Sequence, residues 1–184
     1  MIIGITGTLG AGKGTIVEYL KTKDFKHYSA REFITREIVH RGLPVSRDSM
    51  VEVANDLRAQ HGPAYVVEAL YQEAKAAGGA TVIESIRTPG ETEMLHQLGG
   101  ILLAVDADQT IRYNRIISRG LTETDKLTLD EFKAQEEREM TSADPNKQNL
   151  KRCIDLADHV IRNEGSFEDL HKKVDRILVK YAGK

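Results

Sequence analysis

The sequence predicts an α/β fold of three layers, in which helices cover both faces of a five-stranded parallel sheet. Short apolar runs alternate along the chain with longer segments whose apolar residues recur at helical spacing. This alternation is typical of parallel sheets, because two neighbouring parallel strands need a crossover helix between them. A glycine-rich stretch, GTLGAGKGT at residues 7–15, joins the first apolar run to the first helical segment. A strand, a glycine-rich turn and a helix in this order indicate a ligand site at the carboxyl ends of the strands.

Five short apolar runs are predicted to form the strands. They are residues 1–6, 25–29, 80–83, 101–105 and 159–161. The runs at 80–83 and 101–105 are continuous rather than alternating, as expected of strands that are buried on both faces. The first run is short and is interrupted by Gly4, which favours a strand over a signal peptide or a membrane span.

Nine longer segments are predicted to be helices, most of them because their apolar residues recur at helical spacing. They are residues 12–22, 30–40, 48–61, 64–77, 92–98, 109–119, 129–140, 149–156 and 167–181. Gly42 and Pro44 end the second of these segments. In the last segment Leu170, Val174 and Ile177 share one face, which predicts an amphipathic helix that packs on the sheet.

The overall composition indicates one soluble domain that spans residues 1–184. Hydrophobic residues make up 40% of the chain and charged residues 29%, which is enough apolar material for a core. The net charge of −2 argues against binding to nucleic acid, which requires a basic surface. Cys153 is the only cysteine, so no internal disulfide can form and we expect a cytoplasmic protein. As partners we expect small-molecule nucleotides, neither nucleic acid nor a membrane, and at most a weak homodimer of the chain.

The glycine-rich stretch has the composition of a phosphate-binding loop. Without a Cβ, its glycines let successive N–H groups point at an anion, and the following helix N-terminus adds free N–H groups. Lys13 supplies a full charge to the outer phosphates of a nucleotide. The residues expected to bind ATP are Gly7, Thr8, Leu9, Gly10, Ala11, Gly12, Lys13, Gly14 and Thr15. The hydroxyl residue follows the lysine by two positions, and we expect Thr15 to help to hold Mg²⁺.

Polar residues follow the third predicted strand. Glu84 comes directly after it, beside the predicted phosphate loop, where a carboxylate is well placed to hold Mg²⁺ through its water shell. Arg87, three residues further on, is placed to reach a second anion rather than the first. The alternatives are a helix cap or a local ion pair for Glu84 and a surface position for Arg87.

The predicted helix at 109–119 carries three arginines on one side. At about 100° per residue, Arg112, Arg115 and Arg119 fall within an arc of about 60°. Three like charges repel one another unless an anion neutralises them, and a phosphoryl group in transfer is such an anion. We therefore expect a lid at about 112–141 that closes on the moving group and excludes water. The alternative is pairing with the acids that follow, Glu123, Asp125 and Asp130.

A helical insertion at about 30–63 is expected to overhang the sheet opposite the lid, with a second substrate beneath it. Three arginines of this insertion are candidates to bind the acceptor together with Arg87: Arg31, Arg36 and Arg58. Each of the three is equally well explained as a solvated charge on a helix surface.

Three segments resemble adenylate kinases and related nucleoside monophosphate kinases, and one of them is the arginine helix at 112–119, which resembles the start of their lid. Residues 7–15 are similar to their loop, including the Gly-Thr after the lysine, and residues 84–88 are similar to their Asp-Gly-Phe-Pro-Arg-Thr segment. Among these, a group of adenylate-kinase-related P-loop proteins is also similar at residues 56–62 and 86–88. The resemblance covers nearly the whole chain and implies the P-loop NTPase fold of the nucleoside monophosphate kinase type. It also implies that Arg87 grips the acceptor phosphate.

The end of the chain carries a further resemblance. Residues 157–166 are similar to the corresponding part of dephospho-coenzyme A kinases. In that fold the loop after the last strand packs on the adenine of ATP. The resemblance therefore implies that Asn163 and Gly165 line the base pocket.

The expected function is transfer of the γ-phosphate of ATP to a nucleoside or deoxynucleoside monophosphate. Mg²⁺ is the expected cofactor and ATP the co-substrate. The expected catalytic residues are Lys13, Arg87, Arg115 and Arg119. No general base is needed, because the acceptor oxygen of a monophosphate is already ionised.

Two other functions are consistent with the sequence. One is transfer to a hydroxyl, with dephospho-coenzyme A as the acceptor, which would require a carboxylate base such as Glu32 or Asp56. The other is a P-loop ATPase or switch that transfers nothing. Residues 146–149 resemble the guanine-reading Asn-Lys-x-Asp of GTP switches, but they end in Asn149 and lack the carboxylate that would pair with guanine.

Overall fold

Five parallel strands form one sheet in the computed structural model, which describes residues 1–120 and 127–182. Within these ranges the strands are β1 (Ile2–Gly7), β2 (Lys26–Ser29), β3 (Thr81–Glu84), β4 (Ile101–Asp106) and β5 (His159–Arg162). Their order across the sheet is β2-β3-β1-β4-β5, and every pairing is parallel. The predicted five-stranded parallel sheet is confirmed.

Nine helices connect and cover these strands within the described residues. They are α1 (Lys13–Lys21), α2 (Ala30–His40), α3 (Arg47–His61), α4 (Tyr65–Ala77), α5 (Pro89–Gln97), α6 (Gln109–Arg119), α7 (Leu129–Met140), α8 (Leu150–Asp155) and α9 (Phe167–Tyr181). The largest difference from prediction is at α5, which begins three residues before the expected 92. Thr88 and Glu91 form a reciprocal capping box with a proline at the first turn, so the chain becomes helical at once.

Two apolar layers enclose the sheet, which confirms the three-layer class. On one face α1 and α9 pack on β1 and β4 through a single buried cluster that includes Ile3, Ile16, Leu103 and Val174. On the other face Val66 and Leu70 of α4 and Leu95 of α5 pack on Ile83 and Leu102. A buried Leu or Ile contributes roughly 1.5–3 kcal/mol to folding, so these two layers supply the main stability of the domain.

The helical segment between β2 and α4 has an apolar core of its own. Ile34 and Ile38 of α2 are buried against Val53, Ala54 and Leu57 of α3. The two helices therefore form a separate small layer, which stands beside the sheet where residues 30–63 were predicted to form an insertion.

The switch point of the sheet lies at β1. Because β2 and β3 lie on one side of β1 and β4 and β5 on the other, the connections between strands run to opposite sides of β1, and a crevice opens at the carboxyl ends of the strands. Gly7 ends β1 with φ 135°, and a Cβ at this residue would lie 2.0 Å from the Val105 carbonyl oxygen. Only glycine fits there. Because Gly7 is the last residue of β1, the loop that follows starts at the crevice.

None of the helices in the described ranges is long and apolar enough to cross a membrane.

Candidate active site

The loop between β1 and α1 has the shape of a phosphate cradle. Gly10 and Gly12 adopt positive φ angles of 79° and 96°, which turn the backbone toward the crevice. α1 begins at Lys13, and no side chain caps its N-terminus, so the N–H groups of its first turn point out of the helix end. This arrangement of turn and helix end binds anions by its geometry and its dipole.

Lys13 lies over the loop and is half-buried. Its Nζ donates to the carbonyl oxygens of Gly7 and Thr8, both at 2.9 Å. The pKa of Lys13 is lowered from 10.5 to about 7, first by burial and then by the nearby Arg87, against the opposing effect of Glu84 and Glu139. Desolvation and a neighbouring cation both act against the ammonium form. An anion in the cradle would favour the charged form instead.

Residues from the ends of β4 and β5 support the loop from behind. Thr8 Oγ1 donates to Asp106 Oδ1 at 2.8 Å, and Arg162 donates to the other oxygen of Asp106 at 2.6 Å. Asn163 Nδ2 donates to the Ala11 carbonyl oxygen at 2.8 Å. Thr8 and Ala11 therefore hold the loop in place rather than face the crevice.

A cavity of about 1200 Å³ opens at the carboxyl ends of the strands. This volume exceeds the roughly 300–1,000 Å³ of a typical small-molecule site, so the cavity has room for two small substrates. One end, named the donor end after the nucleotide expected there, is lined by six loop residues, namely Leu9, Gly10, Gly12, Lys13, Gly14 and Thr15, and by Arg115, Arg119, Asn163 and Gly165. The other end, named the acceptor end after the second substrate expected there, is lined by residues of α2 and α3 and by the segment after β3, among them Arg31, Ile34, Arg47, Met50, Arg58 and Arg87.

Glu84 lies between the two ends of the cavity. Its carboxylate is 3.2 Å from His27 Nε2, so Glu84 has a local side-chain partner. Burial acts to raise the pKa of Glu84, but His27 and Lys13 outweigh it, and the pKa lies below its ordinary value. The next residue, Ser85, has a positive φ of 74°, which is strained for serine and redirects the chain toward the acceptor end.

These residues fit a magnesium ion that is held mainly by a nucleotide. The carboxylate of Glu84 remains ionised, and both Glu84 and Thr15 line the cavity beside Lys13. Neither here nor elsewhere in the described residues is a group of three or more His, Cys, Asp or Glu side chains arranged to bind a metal by itself. Mg²⁺ commonly keeps several waters and takes phosphate oxygens, so one carboxylate and one hydroxyl are a sufficient protein contribution.

The three arginines of α6 divide into two kinds. Arg112 is buried, and its guanidinium donates to the carbonyl oxygens of Ala107 and Leu9 and to the carboxylate of Glu136 on α7. Arg112 therefore supports the loop and fastens α7. Arg115 and Arg119 line the cavity instead. Of the acids considered as partners, Glu123 and Asp125 lie outside the described residues, as does that part of the predicted lid.

Arg115 joins the donor end to the segment after β5. Its Nη2 donates to the Asn163 carbonyl oxygen at 2.9 Å. Its Nη1 is buried and has no hydrogen-bond partner among the described residues. A buried guanidinium N–H without a partner is costly, so this atom is suited to a ligand in the cavity.

The candidate acceptor arginines of the insertion have different surroundings. Arg31 lines the cavity, and so does Arg58, which is buried and ion-paired with Glu91 at 2.8 Å. Arg36 does not reach the cavity. It lies about 200° around α2 from the buried Ile34, is 61% exposed and pairs with Glu73 at 2.6 Å. The prediction that Arg36 binds the acceptor is therefore wrong, because Arg36 lies on the side of α2 that faces away from the cavity.

Arg87 lies at the acceptor end, as expected, but its partner was not predicted. Arg87 Nη1 donates to Glu139 Oε2 at 2.6 Å and to Gln148 Oε1 at 3.1 Å. The other oxygen of Glu139 accepts from Arg47, the first residue of α3. Sequence reasoning missed Arg47 and Glu139. The basic residue at a helix start within the insertion was the available signal for Arg47, and no sequence signal connects it to Glu139.

The fold and the loop together define a P-loop protein with a kinase-like domain. Over residues 3–144 the sequence matches the model of the AAA domain family AAA_18, and the chain belongs to that family. The predicted assignment to the P-loop kinase superfamily is confirmed at this level.

Relatives cover nearly the whole chain. The UPF0200 protein PH1008 of Pyrococcus horikoshii is 26% identical over 189 residues, which is 98% of this chain and 97% of that protein. The UPF0200 protein MJ1399 of Methanocaldococcus jannaschii is 28% identical over 182 residues, which is 97% of this chain and 89% of that protein.

Solved structures show the same fold. TT1252 from Thermus thermophilus has a TM-score of 0.65 at 22% identity and covers 98% of this chain and 97% of its own. Shikimate kinase from Bacteroides thetaiotaomicron has a TM-score of 0.60 at 12% identity, with coverage of 97% and 98%. A gluconokinase from Sinorhizobium meliloti has a TM-score of 0.56 at 14% identity, with coverage of 98% and 92%. At these identities the likeness concerns the fold.

Proposed function

We propose that the protein transfers the γ-phosphate of ATP to a nucleoside or deoxynucleoside monophosphate. The observation that carries the proposal is a single cavity with a phosphate cradle at one end and the arginines Arg47 and Arg87 at the other. A cradle alone is typical of any P-loop ATPase. A second cationic site within the same cavity favours transfer to an anionic acceptor.

At the donor end, ATP is held by backbone N–H groups of the loop and α1 and by Lys13. Binding requires Lys13 to leave the carbonyl oxygens of Gly7 and Thr8 for the outer phosphates. Asn163 and Gly165 line the pocket of the base. Mg²⁺, when bound, neutralises charge on the β- and γ-phosphates, and Thr15 and, through water, Glu84 are the residues that hold it.

The charge of the moving phosphoryl group is stabilised by cations on both sides. Arg115 and Arg119 approach from α6, and Arg115 Nη1 can donate a hydrogen bond to the phosphoryl group because it has no partner among the described residues. Lys13 and Arg87 approach from the loop and the segment after β3. Placing donors where charge develops is the main contribution that a protein makes to phosphoryl transfer.

At the acceptor end, the monophosphate is bound by arginines and the nucleoside by apolar side chains. Arg31, Arg58 and Arg87 were expected there, and Arg47 joins them. The same end is lined by apolar residues of the insertion, namely Ile34, Val45, Met50, Val51 and Ala54. A mixture of charge and apolar surface suits a molecule that carries both a phosphate and a base.

The surroundings of the acids disfavour a hydroxyl acceptor, which needs a carboxylate base within hydrogen-bond reach. Glu32 and Asp56 do not line the cavity, and Asp56 accepts from Arg41 and Gln60 instead. Glu84 and Glu139 do line it, but each carboxylate is engaged by cationic groups. An acceptor oxygen that is already ionised needs no base.

An acceptor panel tests the proposal. The protein is incubated with Mg²⁺ and γ-labelled ATP against nucleoside and deoxynucleoside monophosphates, dephospho-coenzyme A, shikimate and gluconate, and labelled products and ADP are followed. We expect label to appear in a nucleoside diphosphate. Label only in a hydroxyl acceptor would contradict the proposal in favour of the second function, and ADP release that is independent of every acceptor would favour an ATPase.

A further inference from the structure

Glu139 lies in the last turn of α7 and reaches into the acceptor end of the cavity. Its carboxylate accepts from Arg87 Nη1 at 2.6 Å and from Arg47, and its side chain is only 12% exposed. The two arginines come from different elements, because Arg87 follows β3 and Arg47 begins α3. One carboxylate therefore bridges the two cations that the proposed function assigns to the acceptor.

The electrostatics of this cluster hold the carboxylate in its ionised form. Burial acts to raise the pKa of Glu139, but Arg87 and Arg47 outweigh it, and the pKa lies below its ordinary value. Glu139 also acts on Lys13, whose ammonium form it favours. Any anion that approaches Arg47 and Arg87 therefore meets a negative charge already bound to both.

α7 has a second attachment that does not depend on Glu139. One turn earlier on the same helix, Glu136 accepts from Arg112 and, at 2.7 Å, from Gln109 Nε2. Phe132 of α7 is fully buried and packs near Arg112 and Tyr113. The Glu139 side chain can therefore release the arginines while the helix remains docked.

We infer that Glu139 is a specificity-determining residue: its carboxylate occupies Arg47 and Arg87 as an internal ligand that an acceptor phosphate displaces and an acceptor carboxylate does not. This inference rests on the proposed function, since it concerns the acceptor of that same site.

The discrimination follows from a comparison of the two anions. A group tethered within a protein competes at an effective concentration in the millimolar range or above, so a free carboxylate gains nothing by replacing the carboxylate of Glu139. A phosphate carries up to two negative charges and three acceptor oxygens, which allows more charge-assisted hydrogen bonds to two guanidinium groups. Phosphate therefore replaces Glu139 where a carboxylate cannot.

Binding of simple anions tests this inference without turnover. Inorganic phosphate and acetate are titrated by calorimetry into protein whose donor end is filled with Mg²⁺ and a non-hydrolysable ATP analogue. The variants are Glu139→Gln, the double variant Glu139→Gln/Arg47→Gln, and Glu137→Gln as the matched control, because Glu137 is exposed on the same helix.

We expect Glu139→Gln to bind phosphate roughly ten- to a hundredfold more tightly than the wild type, the range expected when one charge-assisted contact no longer competes. Acetate should bind Glu139→Gln and not the wild type. Glu137→Gln should behave as the wild type, and the added Arg47→Gln should remove the gain. Equal phosphate affinity in Glu139→Gln and the wild type would overturn the inference. The role of Glu139 would then be to attach α7 to the neighbouring elements.

A second variant covers the case in which Glu139→Gln fails to fold. Glu139→Asp keeps the charge but shortens the side chain by one methylene, so it should weaken the bridge and give a smaller gain in phosphate affinity. The absence of any gain in a folded variant would contradict the inference. Failure of the proposed function gives a different result. If Glu139→Gln gains phosphate affinity but the protein phosphorylates no monophosphate, the result contradicts the proposed function and not the inference about Glu139.

Discussion

The donor and acceptor ends of the cavity are constructed in different ways. The donor end is shaped by backbone: glycines with positive φ, a helix N-terminus, and Lys13 bonded to two carbonyl oxygens of its own loop. The acceptor end is assembled from ion pairs between distant segments, since Glu139 is 52 residues from Arg87 and 92 from Arg47. A site made of backbone is rigid before a ligand arrives, whereas a site made of ion pairs can exchange one anion for another. The predictions below test this difference.

The largest effect is expected from Lys13→Ala. Removing the ammonium group takes away one of the charges that face the moving phosphoryl group, and loss of one such donor typically lowers kcat by about a hundred- to a thousandfold. Phosphoryl transfer is measured with labelled ATP. Lys21→Ala is the matched control, because Lys21 lies on the same helix and pairs with Glu18 at the surface. A near-normal kcat in Lys13→Ala would show that Lys13 does not act on the moving phosphoryl group.

Rigidity of the donor end is tested by two glycine substitutions. Gly7→Ala places a Cβ 2.0 Å from the Val105 carbonyl oxygen at a φ of 135°, and we expect the free energy of unfolding to fall by about 2–4 kcal/mol. Gly14→Ala meets nothing within 4 Å, and in the first turn of α1 it should leave stability unchanged or raise it by up to about 1 kcal/mol. Denaturant unfolding measures both. Equal stabilities would show that the backbone above the crevice is adaptable.

The acceptor end is tested by Arg87→Ala. The lost contact is a charge-assisted hydrogen bond to the acceptor, worth about 1.5–3 kcal/mol, so we expect the KM of the acceptor to rise roughly ten- to a hundredfold. The KM of ATP should change little. Arg36→Ala is the control, because Arg36 lies on the insertion but points away from the cavity toward Glu73. An unchanged acceptor KM in Arg87→Ala would place the acceptor elsewhere.

The smallest effect concerns protons at the donor end. The pKa of Lys13 lies at about 7 in the protein without nucleotide, below the 10.5 of an exposed lysine. Between these values the unfolded chain binds more protons than the folded one, so this group makes stability rise with pH from about 7 to 10. Bound phosphates favour the ammonium form, so binding of an ATP analogue at pH 8–9 should take up a proton.

Calorimetry in buffers of different ionisation enthalpy measures that uptake. We expect up to one proton per analogue bound in the wild type and none in Lys13→Ala. Uptake that is equal in the two proteins would assign the proton to another group.

Much of the donor end was predictable because its information is local. The spacing of the glycines and the start of the helix are read within residues 7–15, and each bound of β1 and α1 lies one residue from its predicted position. The helices α2, α6, α7 and α9 have their predicted bounds, because each carries its own apolar period or its own end signals. The proposed roles of the loop residues remain predictions.

The acceptor end was predictable only in part. Arg31, Arg36 and Arg58 look alike in the sequence, yet Arg36 faces solvent, whereas Arg31 and Arg58 line the cavity and Arg58 is also buried against Glu91. Their surroundings depend on the angle of α2 and α3 on the sheet, which is decided by the packing of Ile34 and Ile38 on the helix beside them.

The sequence by itself determined the fold class and the position of a phosphate-binding loop, since periodicity and glycine spacing are properties of neighbouring residues. Only the tertiary structure decided which charges meet: that Arg112 fastens α7 through Glu136, and that Arg47 and Arg87 share Glu139. The physical reason is that a charge acts through space on whatever group folding brings near it, and the linear order of residues carries no record of that partner.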